Sequence, residues 1–301
     1  MRVLITGATG LIGQEIVKVC HENNIDVNFL TTSKSKITEK ENYKGFYWNP
    51  RKNEIDTRCF KDVDTIIHLV GASISKRWTA SYKNDIISSR TDTTALLVNT
   101  LKNETHTVQH VISASAIGFY PDSLTNYYDQ NFDEVSASFL GQVVKLWEQA
   151  VDEFSALNIS VSKIRIGLVL SNNGGALPEI VRPVKFGVGA AFGHGRQWQS
   201  WIHINDLANM FYYVLKFKLN GIYNGVAPNP VSNKEMTKTI ADVINKPMFL
   251  PNIPKFMMKL ILGEMHILLF ESQRVSSKKI GDKGFNFKYN YVKPALEELL
   301  A

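Results

Sequence analysis

The chain has 301 residues, 44% of them hydrophobic and 21% charged, with a formal net charge of +6. That balance suits a globular protein with one large α/β unit or a main domain plus a smaller lobe. Two cysteines, Cys20 and Cys59, exclude a disulfide framework and a multi-cysteine zinc site, and the seven histidines show no metal-ligand spacing, so no metal is expected. The excess positive charge suits anionic ligands, but the lysines are scattered, so no nucleic-acid partner is expected. The sequence opens straight into an apolar strand without a signal-peptide pattern, and a cytoplasmic location is expected. The most apolar late run, residues 256–270, is too short to span a bilayer and carries Lys259, Glu264 and His266, so no membrane partner is expected either.

RVLIT (2–6) is a short β-branched run ended by glycine, the pattern of a buried parallel strand. LIGQEIVKVCHEN (11–23) has apolar residues at helical spacing, and DVNFLTT (26–32) reads as a second strand. Between the first strand and the helix lies TGATGLIG, with Gly7, Gly10 and Gly13 spaced G-x-x-G-x-x-G. Glycines there allow a tight turn and close approach of a pyrophosphate, which the helix N-terminus then receives. Thr9, Leu11 and Ile12 complete this phosphate loop. A glycine-rich turn without a ligand is the alternative, but its place in the first βαβ unit favours a dinucleotide.

The end of the second strand refines the cofactor. NAD sites usually place a carboxylate there for the ribose 2′-hydroxyl. In FLTTSKSK (29–36) no carboxylate appears before Glu39, whereas Thr32, Ser33 and Lys34 offer hydroxyls and a cation. NADP(H) is therefore expected over NAD(H), against the alternative that Lys34 and Lys36 are solvated loop lysines. Asn49, in YWNP after the third strand, is placed toward the adenine.

DTIIHLVGA (64–72) and HVISASA (110–116) read as further buried strands with a helix over 79–103 between them. Arg77 and Trp78 precede that helix; Arg77 is a candidate for stacking near the cofactor and Trp78 could equally be core. A helix follows at 138–157 with Ser138 as N-cap, then a strand over 159–170. Alternating strands and helices imply a Rossmann-type, doubly wound parallel sheet. After residue 170 glycines cluster, a helix is expected at 205–218 and a strand at 221–227, and the remainder is broken by prolines. The expected division is a cofactor domain over 1–166, to which 200–227 returns, and a smaller substrate lobe over 167–301. Arg196 and Trp198 sit in a glycine-bounded loop at the lobe junction, where an Arg can hold an anionic substrate group or bridge the lobes. His203 is a candidate substrate contact, against the alternative of a structural hydrogen-bonding histidine.

With these residues assembled, the chain resembles the extended short-chain dehydrogenase/reductase superfamily. TGATGLIG matches its phosphate loop, and HLVGA (68–72) resembles the segment under the adenine and ribose, which implies Leu69, Gly71 and Ala72 as cofactor contacts. SASAIGFYP (113–121) resembles the serine-bearing end of the fifth strand, and WIHINDLA (201–208) the element leading into a late helix. A narrower resemblance covers almost the whole chain, to the atypical, NADP-binding epimerase-like family. Its motifs are KRWTASYKNDIISSR (76–90), FLGQVVKLWE (139–148), RIGLVLSNNGGAL (165–177) and GHGRQWQSWIHINDL (193–207), with a small C-terminal domain at about 249–298.

The resemblance implies a catalytic serine at Ser115 and a tyrosine–lysine pair four residues apart, the tyrosine acting as proton donor. FLGQVVKLWE supplies Lys145 but Gly141 in the tyrosine position; shifting the register by one gives Leu140 and Val144 and loses the lysine too. Three expectations follow. The chain is an NADP(H)-dependent oxidoreductase or epimerase-like enzyme on a small polar, sugar-derived or anionic substrate, with Tyr120, or more distantly Tyr127 or Tyr128, as substitute acid. Alternatively it is a catalytically weak NADP(H)-sensing binding protein. A hydrolase with Ser115 as nucleophile is the weakest, because there is no G-x-S-x-G elbow. The sequence sets neither the substrate nor the oligomeric state.

Overall fold

The structure is a computed structural model describing residues 1–301. Seven strands form the central sheet: β1 (Arg2–Thr6), β2 (Asp26–Thr31), β3 (Tyr43–Asn49), β4 (Thr65–His68), β5 (His110–Ala116), β6 (Ser160–Ile166) and β7 (Gly221–Gly225). Their order is β7-β6-β5-β4-β1-β2-β3, and every neighbouring pair is parallel. Two short antiparallel strands, Glu39–Lys40 and Glu54–Ile55, flank β3. A parallel sheet needs both faces covered. Helices α1 (Leu11–Glu22) and α5 (Ile204–Lys216) pack together, as do α2 (Ala80–Asn103) and α3 (Phe139–Asp152); α4 (Ala176–Lys185) and α6 (Asn233–Val243) belong to the smaller lobe. The central strands are accordingly apolar throughout: Val3, Leu4, Ile5, Ile66, Ile67, Val111 and Ile112 are all fully buried. The strand order reverses between β1 and β4, where the crevice at the carboxyl ends of the strands opens.

Three element boundaries differ from the sequence expectation. The strand expected over 159–170 breaks at Gly167, and Leu168–Leu170 leaves the main sheet to pair with Trp201–His203. A Cβ at Gly167 would lie 2.2 Å from the Ser200 carbonyl oxygen, so only glycine permits this crossing. The strand expected over 64–72 ends at His68, after which the chain turns along the crevice. The helix expected over 138–157 is α-helical to Asp152, then tightens to a 3₁₀ turn over Glu153–Leu157 that ends at Asn158 with φ 59.

The smaller lobe has its own core, in which Leu177 and Val181 of α4 meet Met236 and Ile240 of α6 and Leu296 and Leu299 of the last helix, Val292–Leu300. One segment fastens this lobe to the main domain. The Ser272 N–H donates to Asp122 Oδ1 at 2.7 Å, Gln273 Nε2 to the Tyr120 carbonyl at 2.9 Å, and Arg274–Val275 pairs in parallel with Tyr127–Tyr128. No helix is long and apolar enough to cross a membrane.

Candidate functional site

At the end of β1 the chain turns at Gly7, with φ 74, and the Gly10 N–H donates to the Gly7 carbonyl at 2.9 Å. A Cβ at Gly13 would lie 2.2 Å from that same oxygen, so α1 can approach the turn only with glycine there. The first turn of α1 has neither a side-chain cap nor an acidic residue, which leaves its N–H groups open to an anion. Leu69 closes over this turn, 3.3 Å from where a Gly7 Cβ would be.

Beside the loop lies a cavity of about 620 Å³ whose walls include Thr32, Asn49, Gly71 and Ala72, four residues from three different strand ends. Arg51 and Lys76, which the sequence reading did not single out, line it as well. Ser33 and Lys34 follow Thr32 but do not line the cavity: the Ser33 N–H caps back onto Thr31 Oγ1 at 3.1 Å, and the exposed Lys34 ammonium lies 5.2 Å over the Tyr47 ring. Arg77 is exposed and lines no part of this cavity; its neighbour Lys76 does, because Trp78 is drawn into a small core with Ile86 and Val143 and turns the chain away.

A buried polar chain stiffens the floor. The Leu69 N–H donates to Thr6 Oγ1 at 3.1 Å, and Thr6 Oγ1 lies 2.8 Å from His68 Nδ1, to which it donates once the other ring nitrogen carries the proton. The Thr94 hydroxyl donates to the Arg90 carbonyl at 2.6 Å, so it accepts from His68 Nε2 at 3.0 Å. This pattern selects neutral, Nε2-protonated His68, and burial pushes its pKa down to about 4. Arg90 then projects from α2: its guanidinium donates to the Ile86 carbonyl at 2.8 Å and the Ala72 carbonyl at 3.3 Å, and stacks 5.0 Å from the Trp147 ring. Burial lowers the Arg90 pKa to about 10, and the residue remains a cation at neutral pH.

Arg90 and Trp147 also wall a second cavity, of about 230 Å³, at the ends of β5 and β6 and closed from the far side by the smaller lobe. Helix α3 presents Leu140, Val143, Val144 and Trp147 to it, β5 leads into Ala116, Ile117 and Gly118, and the lobe adds Trp198, Gln199, Leu268 and Glu271. Trp147 Nε1 and Gln199 Oε1 are buried without a hydrogen-bond partner, one donor and one acceptor in the same cavity wall.

Neither Gly141 nor Lys145 is among the lining residues. Gly141 faces away from the cavity, where a Cβ would lie 2.2 Å from the Ser136 carbonyl oxygen, and Lys145 is solvent-exposed. Two pairs four apart reach the cavity, Leu140 with Val144 and Val143 with Trp147, neither of them a tyrosine–lysine pair, and the assignment of Lys145 to the site is corrected.

Ser115 and Tyr120 also sit differently from the expectation. The Ser115 hydroxyl donates to Glu148 Oε1 at 2.6 Å, and Glu148 receives a two-pronged bond from Arg165, at 2.8 and 2.9 Å. Arg165 donates on to the Tyr120 hydroxyl at 3.2 Å, which donates to Asn224 Oδ1 at 2.8 Å. Tyr120 is fully buried and burial raises its pKa, so it is a weaker acid than a free tyrosine and has no open path to a substrate. Neither residue lines the second cavity; both belong to a buried network joining α3, β5, β6 and β7.

Of the residues expected at the substrate, Trp198 lines the cavity while its Nε1 donates to the Leu124 carbonyl at 3.1 Å. Arg196 is exposed and does not line it. His203 is a correction: it is fully buried, Nδ1 accepts from the Asn205 N–H at 3.1 Å to cap α5, and Nε2 donates to Glu298 at 2.9 Å. Arg90, Gln199 and Glu271 were missed by sequence reasoning. Arg90 falls inside a quoted motif and carried a usable signal, whereas Glu271 reaches the site only through lobe docking, which no local pattern encodes.

A family model described as NAD dependent epimerase/dehydratase family matches residues 3–225, and one described as Domain of unknown function (DUF1731) matches 253–299. An epimerase family protein of Staphylococcus haemolyticus is 35% identical over 298 residues, spanning 99% of this chain and 98% of that protein. One from Staphylococcus aureus (strain N315) is 34% identical with the same coverage. Among solved structures, a human epimerase family protein with NADPH superposes with a TM-score of 0.86 at 25% identity, over 99% of both chains. A nucleoside-diphosphate sugar epimerase from Corynebacterium glutamicum gives 0.78 at 27% identity, over 100% of this chain and 58% of that one.

Proposed function

Since the chain belongs to the NAD-dependent epimerase/dehydratase family, we propose that its crevice binds NADP(H) and that it is an oxidoreductase acting on a small carbonyl compound. The residues fit a dinucleotide. Gly7, Gly10 and Gly13 leave the space a diphosphate needs, the first turn of α1 offers free N–H groups, and Thr32, Asn49, Gly71 and Ala72 shape a cavity for the adenosine end. Arg51 lines that cavity, and Ser33 and Lys34 follow directly on Thr32 of its wall; hydroxyls and cations there support NADP(H). When bound, the dinucleotide would give or take a hydride.

The observation that carries the reading is the 230 Å³ cavity between α3, the ends of β5 and β6 and the smaller lobe, with Arg90, Gln199 and Glu271 among its few polar residues. The lining is mostly apolar, so the substrate is a compact molecule with one polar group and not a whole nucleotide sugar. Arg90 lines this cavity and donates to the carbonyl of Ala72 in the wall of the first, a position from which it can orient the nicotinamide side of the cofactor.

A second reading has its own support. The four α3 residues that line the cavity, Leu140, Val143, Val144 and Trp147, include neither a phenol nor an amine, which favours an NADP(H)-binding protein with little turnover. The two separate in one assay: NADPH oxidation by the purified chain with benzaldehyde, cyclohexanone and diacetyl, beside NADPH binding in the same buffer. Saturable turnover with any of the three supports the oxidoreductase; saturable binding without turnover supports the binding protein.

A further inference from the structure

The apolar α3 wall leaves the second cavity without a proton donor on the main domain. Among all residues lining it, only Arg90 and Glu271 ionise. Arg90 remains a guanidinium at neutral pH and cannot cycle a proton there. Ser200 is committed as well: its hydroxyl donates to the Gln273 carbonyl at 2.8 Å and accepts from the Val275 N–H at 2.9 Å.

We infer that Glu271, supplied by the C-terminal domain at residues 253–299, is the proton donor of this site. The inference rests on the oxidoreductase reading above and gives that domain a catalytic part. In the reducing direction the hydride adds to the carbonyl carbon, the C=O π pair moves onto oxygen, and that oxygen takes the proton of the Glu271 carboxyl group. Water returns a proton to the carboxylate. The sum is carbonyl, NADPH and one proton in, alcohol and NADP⁺ out.

The position is built. The Glu271 N–H donates to the Ile267 carbonyl at 2.9 Å, ending the short helix Ile267–Phe270. The next two residues are clamped to the loop after β5, through Ser272 N–H to Asp122 and Gln273 Nε2 to the Tyr120 carbonyl. The loop that in the sequence looked like the source of the acid instead anchors the segment that carries one. Burial raises the Glu271 pKa and Asp122 adds to the rise by repulsion, against a hydrogen bond from Ser138 and the attraction of Lys255; the net direction is upward. A raised carboxyl pKa keeps the proton available nearer neutrality.

The test uses the full chain with NADPH bound. Infrared difference spectra between the wild type and Glu271→Gln should show one carboxyl band that titrates above the ordinary glutamate range. Glu271→Gln should bind NADPH within about twofold of the wild type, lose roughly 10²–10⁴-fold in kcat on the same three carbonyls, and lose the alkaline limb of the pH profile. Glu271→Asp should restore part of the rate and the limb. A carboxyl band that titrates at or below the ordinary glutamate range, an unchanged pH profile in Glu271→Gln, or NADPH binding with no turnover on any of the three carbonyls would overturn the inference. Failure of NADPH to bind at all would overturn the parent reading and this one together.

Discussion

At the scale of single residues, the shape of the site turns on which residues of α3 meet the cavity. The motif FLGQVVKLWE invites an alignment of Gly141 and Lys145 with a tyrosine–lysine pair, but it is Leu140, Val143, Val144 and Trp147 that reach the cavity. Gly141 is there for packing, so Gly141→Tyr should not recreate a catalytic tyrosine. Its Cβ alone would collide with the Ser136 backbone, and a destabilisation of at least 1–3 kcal/mol is expected, at about the cost of overpacking. Urea unfolding measures it; a variant as stable as the wild type would show that this packing is wrong. The Ser115–Glu148–Arg165–Tyr120 network makes the complementary case. Removing one partner of a buried ion pair leaves the other uncompensated, so Glu148→Ala should cost about 3–5 kcal/mol. A loss below about 1 kcal/mol in the same assay would mean that water reaches Arg165. Neither role was legible in the sequence: Glu148 and Arg165 look like ordinary helix and strand charges until β5, β6 and α3 are stacked.

At the scale of elements, the first βαβ unit was readable because each of its features has a local cause. The apolar run of β1, the glycines and the amphipathic α1 follow one another within two dozen residues, and their packing constraints fall on the positions the spacing named. The cofactor's adenosine end was legible in part: Thr32 and Asn49 line the cavity, while Arg51 and Lys76 were passed over and Arg77 was chosen in place of its neighbour. A cation that meets a phosphate contributes a charge-assisted bond, worth about 1.5–3 kcal/mol at most. Lys34→Glu should therefore weaken NADPH roughly tenfold or more while leaving NADH nearly unchanged. Equal loss for both dinucleotides would place Lys34 outside the 2′-phosphate site. The broken strand at Gly167 was not legible, because the backbone it must avoid comes from Ser200, more than thirty residues away.

At the scale of the whole molecule, stability is tied to pH through buried histidines. His68 is held neutral at the base of the crevice, and His110, bonded through Nε2 to Ser162 at 2.8 Å, is likewise depressed to about 4 by burial. The unfolded chain binds protons at these sites near 6.5 and the folded chain does not until about 4. Their contribution is thus fully present above about pH 6.5 and is lost as pH falls toward 4, by up to about 3 kcal/mol for each group. The thermal midpoint should fall through that window, and His68→Gln should reduce the slope; a flat profile would mean that His68 is protonated in the fold. The docking of the smaller lobe, which brings Gln199 and Glu271 to the cavity, is the part of the molecule least visible in sequence, since its contacts link residues about 150 positions apart.

All of this depends on a dinucleotide lying across the glycine turn with its reactive end beside Trp147. The most direct measurement is a fluorescence titration of the chain with NADPH and with NADH, repeated on Trp147→Phe. The account predicts saturable binding with NADPH tighter than NADH, and quenching of tryptophan emission that shrinks in Trp147→Phe. Tighter binding of NADH would contradict the cofactor assignment, and quenching unchanged by the substitution would contradict the placement of the cofactor's reactive end at this cavity.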